Sequence, residues 1–149
     1  MPSEIQREKT ENEPAAGYEE VDHTADTALH FWAPDFETLL VHAGRGVAWV
    51  LSGQLPSGPY PIRKHLALKA FDRESLLVAF LGELAYWAET GREIFLNFEF
   101  ERITDRRLSV LAEGIRVPAL KTVIKAVTYH DLEIMETERG LEATVVFDV

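Results

Sequence analysis

At 149 residues the chain is long enough for one domain with a sizeable core and too short to expect two. The 15 basic residues against 25 acidic ones give a net charge of −10, which argues against direct strong nucleic-acid binding and makes cations and basic protein surfaces the better partners. The chain has no cysteine, so disulfides, thiolate metal sites and thiol nucleophiles are excluded, as suits a reducing cytoplasm or a hot one.

No run of about eighteen apolar residues exists, so no membrane span is expected, and the polar N-terminus lacks the apolar stretch of a signal peptide. Residues 1–16 read as a mobile tail: Glu4, Glu8, Glu11 and Glu13 stand against Arg7 and Lys9, between Pro2 and Pro14. A single domain is expected over 17–149.

Tyr18–Val21 is strand-prone and leads into Asp22-His23-Thr24-Ala25-Asp26, after which Ala28–Ala33 is extended and apolar. Two carboxylates, an imidazole and a hydroxyl this close together must face water or hold an ion or a partner group. Asp35 is the candidate N-cap of a helix with Glu37 in its first turn. The stripe Phe36, Leu39, Leu40, Ala43, Val47, Val50 and Leu51 recurs at three and four, and Gly53 closes it. Gly44 and Gly46 weaken that helix, which predicts a close approach to a neighbouring strand. His42 and Trp49 read as packing or surface residues.

Gln54–Pro61 is a Pro-rich loop, and Ile62–Phe71 alternates as a half-buried strand. Asp72 caps a second helix with the stripe Leu76, Leu77, Phe80, Leu81, Leu84, Trp87 and Ala88, ended by Gly91. Tyr86 and Trp87 read as core. Ile94–Ile103 and Arg107–Ala112 are strands around a turn at Asp105-Arg106, and Gly114–Leu120 is a connection. Thr122–Thr137 reads as one long extended segment with Ile124, Ala126, Leu132 and Ile134 on its inner side. After a turn at Arg139-Gly140 the final strand places Leu141, Ala143, Val145, Phe147 and Val149 on one face. The order predicts an α+β domain with two helices packed on a mostly antiparallel sheet.

Alternation that persists to the last residue predicts an ordered C-terminus. Were that end to lie beside the Asp22–Asp26 loop, Asp26, Asp148, the terminal carboxylate of Val149 and Asp22 would form an all-oxygen cluster of the kind hard cations choose. Without a cation such carboxylates repel one another. The alternative is that Asp26 stabilises a turn and Asp148 is merely solvated. His23 and His130, with Asp22 and Asp131, lack the spacing of a zinc site. There is no nucleophile elbow and no Gly-rich phosphate loop, so a stand-alone enzyme has little support.

Three stretches together carry a resemblance: Asp22-His23-Thr24-Ala25-Asp26, then Lys125-Ala126-Val127-Thr128-Tyr129-His130-Asp131-Leu132-Glu133, then Val145-Val146-Phe147-Asp148-Val149. In order, and with the last at the chain's end, they resemble the signatures of the archease family over roughly Tyr18 to Val149. The resemblance implies an SHS2-like core with inserted elements. It implies a cytoplasmic, non-enzymatic activator of an RtcB-type RNA ligase in tRNA splicing, promoting ligase guanylylation and multiple turnover. It carries a calcium-type metal site onto Asp26, Asp148 and Val149, with Asp22 and His23 as additional candidates and magnesium or manganese as alternative ions. It carries a ligase-activating role onto Lys125. The chain departs from the family pattern between Gly114 and Lys125, where Val117-Pro118-Ala119-Leu120 stands in place of a longer polar connection. The rival function is a generic adaptor or chaperone for an RNA-processing enzyme.

Overall fold

Leu29, Phe31 and Ala33 on one strand, and Leu141, Ala143, Val145 and Phe147 on another, each present one apolar face. The two strands pair antiparallel with Leu29 opposite Val145 and Phe31 opposite Ala143, so the faces merge into one surface. The computed structural model describes residues 15–22 and 26–149. Its elements are β1 (Gly17–Asp22), β2 (Thr27–Ala33), α1 (Phe36–Ser52), β3 (Ile62–Lys69), α2 (Arg73–Gly91), β4 (Glu93–Ile103), β5 (Arg107–Arg116), β6 (Ala126–Val127), β7 (Met135–Thr137) and β8 (Gly140–Asp148). They form an α+β architecture with antiparallel pairing throughout. The strands divide between two sheets: a five-stranded one in the order β1-β2-β8-β6, with β7 also on β8, and a three-stranded one in the order β3-β5-β4.

Both helices start as their sequences demand. Asp35 and Asp72 accept the backbone N–H of Thr38 and Ser75, each at 2.8 Å, satisfying donors that a helix start leaves unpaired. Gly53 ends α1 with φ 79°, a conformation glycine adopts without penalty, and its N–H reaches the Trp49 carbonyl. At the end of α2 the left-handed residue is Arg92, φ 54°, one position past the expected Gly91.

Helix α1 joins the two sheets. A Cβ added at Gly46 would stand 3.0 Å from Leu29 and 3.2 Å from Tyr18 in the five-stranded sheet, and one at Gly44 would stand 2.7 Å from the Phe98 ring in the three-stranded sheet. The absent side chains are what let the backbone approach both. Phe80 of α2 packs on Phe98 and Phe100 at ring separations of 5.5 and 6.0 Å. It is fully buried, which stabilises the fold by about 1.5–3 kcal/mol.

Several expectations are corrected. β5 continues through Gly114 to Arg116, because Gly114 lies against the Ile94 carbonyl of β4, where a side chain has no room. Of the segment Thr122–Thr137, only Ala126–Val127 and Met135–Thr137 are strand. Alternation makes a strand only where a neighbour takes up its hydrogen bonds. Here a turn at His130-Asp131, with Asp131 at φ 50°, breaks the run, and the Ile134 N–H is instead accepted by the Glu74 carboxylate at 2.9 Å. Ile124 is buried as expected, whereas Ala126 is exposed. Ala16, assigned to the tail, packs against the core, and the rest of that segment up to residue 14 lies outside the described residues. Trp87 packs on Phe95 with ring centroids 4.9 Å apart, but Tyr86 is exposed rather than core. Burial first, then nearby Arg45, holds the His42 imidazole below its ordinary pKa, as fits a packing role.

Candidate metal centre at one end of the five-stranded sheet

The central strand of this end is β8, with β2 on one side and β6 on the other. Thr27 pairs with Phe147, so Asp26 and Asp148 follow one residue beyond the last pair at the same end of adjacent strands. Asp22 is the register partner of Thr27 from β1. Ala126 is the partner of Asp148 from β6, and the Lys125 N–H donates to the Asp148 carbonyl at 2.7 Å. Thr128 fastens the next position by donating both its N–H, at 3.0 Å, and its hydroxyl, at 2.9 Å, to the Val146 carbonyl.

Residues 122 positions apart in sequence are thereby juxtaposed by backbone pairing (Asp148 minus Asp26). Asp148, Val149 and Lys125 are exposed, Val149 to 39%. Of Asp22 only the backbone is described, and His23, Thr24 and Ala25 lie outside the described residues. Among the described residues no group of three His, Cys, Asp or Glu side chains converges. Among the described residues this end carries the carboxylates of Asp26 and Asp148, with Val149 next to the latter. A carboxylate is a hard oxygen donor, of the kind that calcium and magnesium choose over soft metals.

His130 and Asp131 pair with each other at 3.2 Å on an exposed turn. The short apolar connection before Lys125 is strapped to the end of α1, with Lys121 and Thr122 both donating to the Leu51 carbonyl at 2.7 and 3.3 Å. Buried Ile124 then delivers Lys125 to β8.

A polar network that sequence reasoning missed lies on the other face of the same sheet. His30 contacts Thr144 and Glu142, both at 2.8 Å, and Glu142 also accepts from Thr137 and faces Arg139 at 3.6 Å. Burial raises the Glu142 pKa, but the hydrogen bonds from Thr137 and His30 and the charges of His30 and Arg139 outweigh it and leave the carboxyl below its ordinary value. Arg139 also stacks 4.3 Å from the Trp32 ring centroid. The only sequence signal was the polar alternation of Glu142 and Thr144.

Among the described residues no helix is long and apolar enough to cross a membrane. Residues 18–149 match the model of the Archease protein family (MTH1598/TM1083). A protein archease of Methanosarcina barkeri is 32% identical over 140 residues, covering 89% of this chain and 95% of its own length. That of Saccharolobus solfataricus is 30% identical, covering 89% and 98%. The solution structure of Methanobacterium thermoautotrophicum protein 1598 shares the fold, with a TM-score of 0.72 at 24% identity over 89% of this chain and 99% of that one. So does the crystal structure of an archease, possible chaperone, from Thermotoga maritima, with a TM-score of 0.58 at 21% identity over 95% and 100%. With the family model spanning nearly the whole described chain and curated relatives matched almost end to end, this chain belongs to the archease family.

Proposed function

We propose that this chain is an accessory activator of an RtcB-type RNA ligase in tRNA splicing, not itself a ligase, and that it works through the end of the five-stranded sheet carrying Asp26, Asp148 and Val149. The observation that supports this most is the β2-β8-β6 pairing, which brings the backbone of Asp26, Asp148 and Lys125 to one end of the sheet. Asp26, Asp148 and the Val149 terminus would hold a calcium ion, with magnesium or manganese as alternatives. Asp22 and His23 are further donors. When bound, the ion neutralises mutually repelling carboxylates and fixes their arrangement. Lys125, exposed and anchored only through its main chain among the described residues, can meet a phosphate or carboxylate of the partner. Binding energy of the docked end would organise the ligase's reacting groups in the geometry needed for guanylylation and renewed turnover.

The test is to incubate the cognate ligase, GTP and a cleaved RNA with and without the purified chain. Stimulated joining is expected with the wild-type chain, none from the chain alone, and none with Asp26→Ala or Asp148→Ala at unchanged fold. Full stimulation by both variants would remove this site. A generic adaptor or chaperone would tolerate both changes, and turnover by the chain alone would make it an enzyme.

A further inference from the structure

The far end of the molecule carries charges of both signs, with Asp35, Glu37 and Asp105 in one surface hollow. β2 runs from the acidic end at Thr27 to Ala33, and α1 begins beyond it at Phe36. The Phe36 ring lies under the Arg73 guanidinium at 5.3 Å, and Arg73 pairs with Asp105 in the β4-β5 turn at 2.8 Å. The β4-β5 turn therefore sits at the end remote from Asp26 and Asp148. On the three-stranded sheet beside it is a groove of about 280 Å³ lined by Lys69, Arg102, Arg107 and Ser109 with Ala67 and Leu108. No acid lines it, and Lys69, Arg102 and Arg107 make no ion pair among the described residues. Lys69 and Arg107 are direct cross-strand partners, and like charges so placed destabilise a sheet.

Nearby acids each have a partner, Glu101 through Ser109 of the groove itself. Asp72 caps α2, Glu74 accepts from Ile134, Asp105 holds Arg73, and Glu101 contacts Ser109 and His65. Two residues past Lys69 stands Phe71, which is 80% exposed, the most open of the large apolar side chains. Phe71 lies in a second surface hollow with Asp72, Arg73, Glu74, Asp105 and Arg106, where Arg73 pairs with Asp105. Cations in a groove beside an open aromatic ring are what single-stranded nucleic acid requires, phosphates on the cations and a base on the ring. An acidic peptide would use the cations but not the ring.

With the choice of RNA resting on the ligase-activator reading, we infer that Lys69, Arg102, Arg107 and Phe71 form a single-stranded RNA-binding surface at the end of the molecule opposite Asp26 and Asp148. A chain docked on its partner through the acidic end would present this surface outward, where it holds an RNA strand weakly and without sequence preference. The whole-chain charge conceals it, because steering acts over about 8–10 Å at physiological salt and a local patch prevails at contact.

The experiment uses the full chain and a fluorescein-labelled oligouridine in an anisotropy titration across a salt series. Binding should be measurable at low salt, with log affinity against log salt falling at a slope of about −2 for three cations. Arg107→Glu, and Lys69→Glu with Arg102→Glu, should abolish it. Phe71→Ala should weaken it about tenfold with the salt slope unchanged, since stacking carries no counterions. All four residues lie at the surface, and an unchanged thermal unfolding midpoint of the groove variants would show them folded. Absence of binding by the wild-type chain at low salt overturns the inference. So does binding indifferent to the charge reversals. Competition by oligoglutamate as effective as by unlabelled RNA, or salt-sensitive self-association in light scattering, would assign the groove to a protein instead.

Discussion

Lys125 donates its backbone N–H to the carbonyl of Asp148 at 2.7 Å, while the Lys125 side chain stays exposed. The main chain of one residue therefore braces the end strand, and its side chain remains available for a partner. The two roles separate by substitution. Lys125→Ala keeps the N–H and is expected to retain the calcium-induced rise in Tm while losing ligase stimulation. Lys125→Pro removes the donor, costing about 1 kcal/mol, and should blunt the calcium response as well. Identical behaviour of the two variants in differential scanning fluorimetry would show that the brace is irrelevant.

Calcium should raise the Tm of the wild-type chain, because an ion that binds only the folded form stabilises it by mass action. Asp148→Asn removes a charge at constant shape and is expected to cut calcium affinity at least about tenfold, as outright loss of a ligand group exceeds the 10–100-fold cost of disturbing its supports. Residues appended after Val149 convert the terminal carboxylate to an amide and should lower affinity in the same direction. Isothermal titration of the tagged and untagged chains makes the comparison, and equal affinities would exclude the terminus as a ligand.

Glu142 predicts a pH dependence of stability. Its folded pKa lies below the ordinary 4.5, so its contribution is present above that value and is lost as the pH falls through it toward the lowered folded one. Glu142→Gln is expected to be about 1 kcal/mol less stable than wild type at neutral pH, with the gap closing in acid. Urea denaturation at a series of pH values between neutral and about 3 measures this. A constant gap would mean that the charge of Glu142 is not what the network stabilises.

Gly44 and Gly114 predict two grades of crowding. Gly44→Ala meets the Phe98 ring at 2.7 Å and should cost about 1–3 kcal/mol, much of it recovered by Phe98→Leu, since a side chain is able to yield. Gly114→Ala meets the Ile94 carbonyl, which belongs to the β4-β5 ladder and has no rotamer to change, so the loss should be larger and no neighbouring side-chain substitution should relieve it. Denaturant midpoints of the single and double variants decide the order.

Features set by interactions within a few residues were legible in the chain itself. Asp35 and Asp72 cap because their carboxylates reach an N–H three residues on, and the apolar stripes of α1 and α2 face the core because 3.6-residue periodicity leaves them no other arrangement. The glycines of α1 marked a close approach for the same reason. The three motifs that resemble the archease signatures were likewise visible in one dimension, and they led to the family. Alternation also gave the inner face of β8 from Leu141 to Phe147, although Val149, expected on that face, is exposed.

Tertiary structure decided which strands pair. The division into two sheets, the interruption of Thr122–Thr137 and the exposure of Ala126 all depend on where hydrogen-bond partners lie far along the chain, and a period of two cannot specify a partner. The same holds for the His30-Glu142 network and for the basic groove, which brings cations from β3, β4 and β5 together. Asp26 and Asp148 stand at one end because β2 and β8 match apolar faces in a single register, a choice made by burying area and not by either carboxylate.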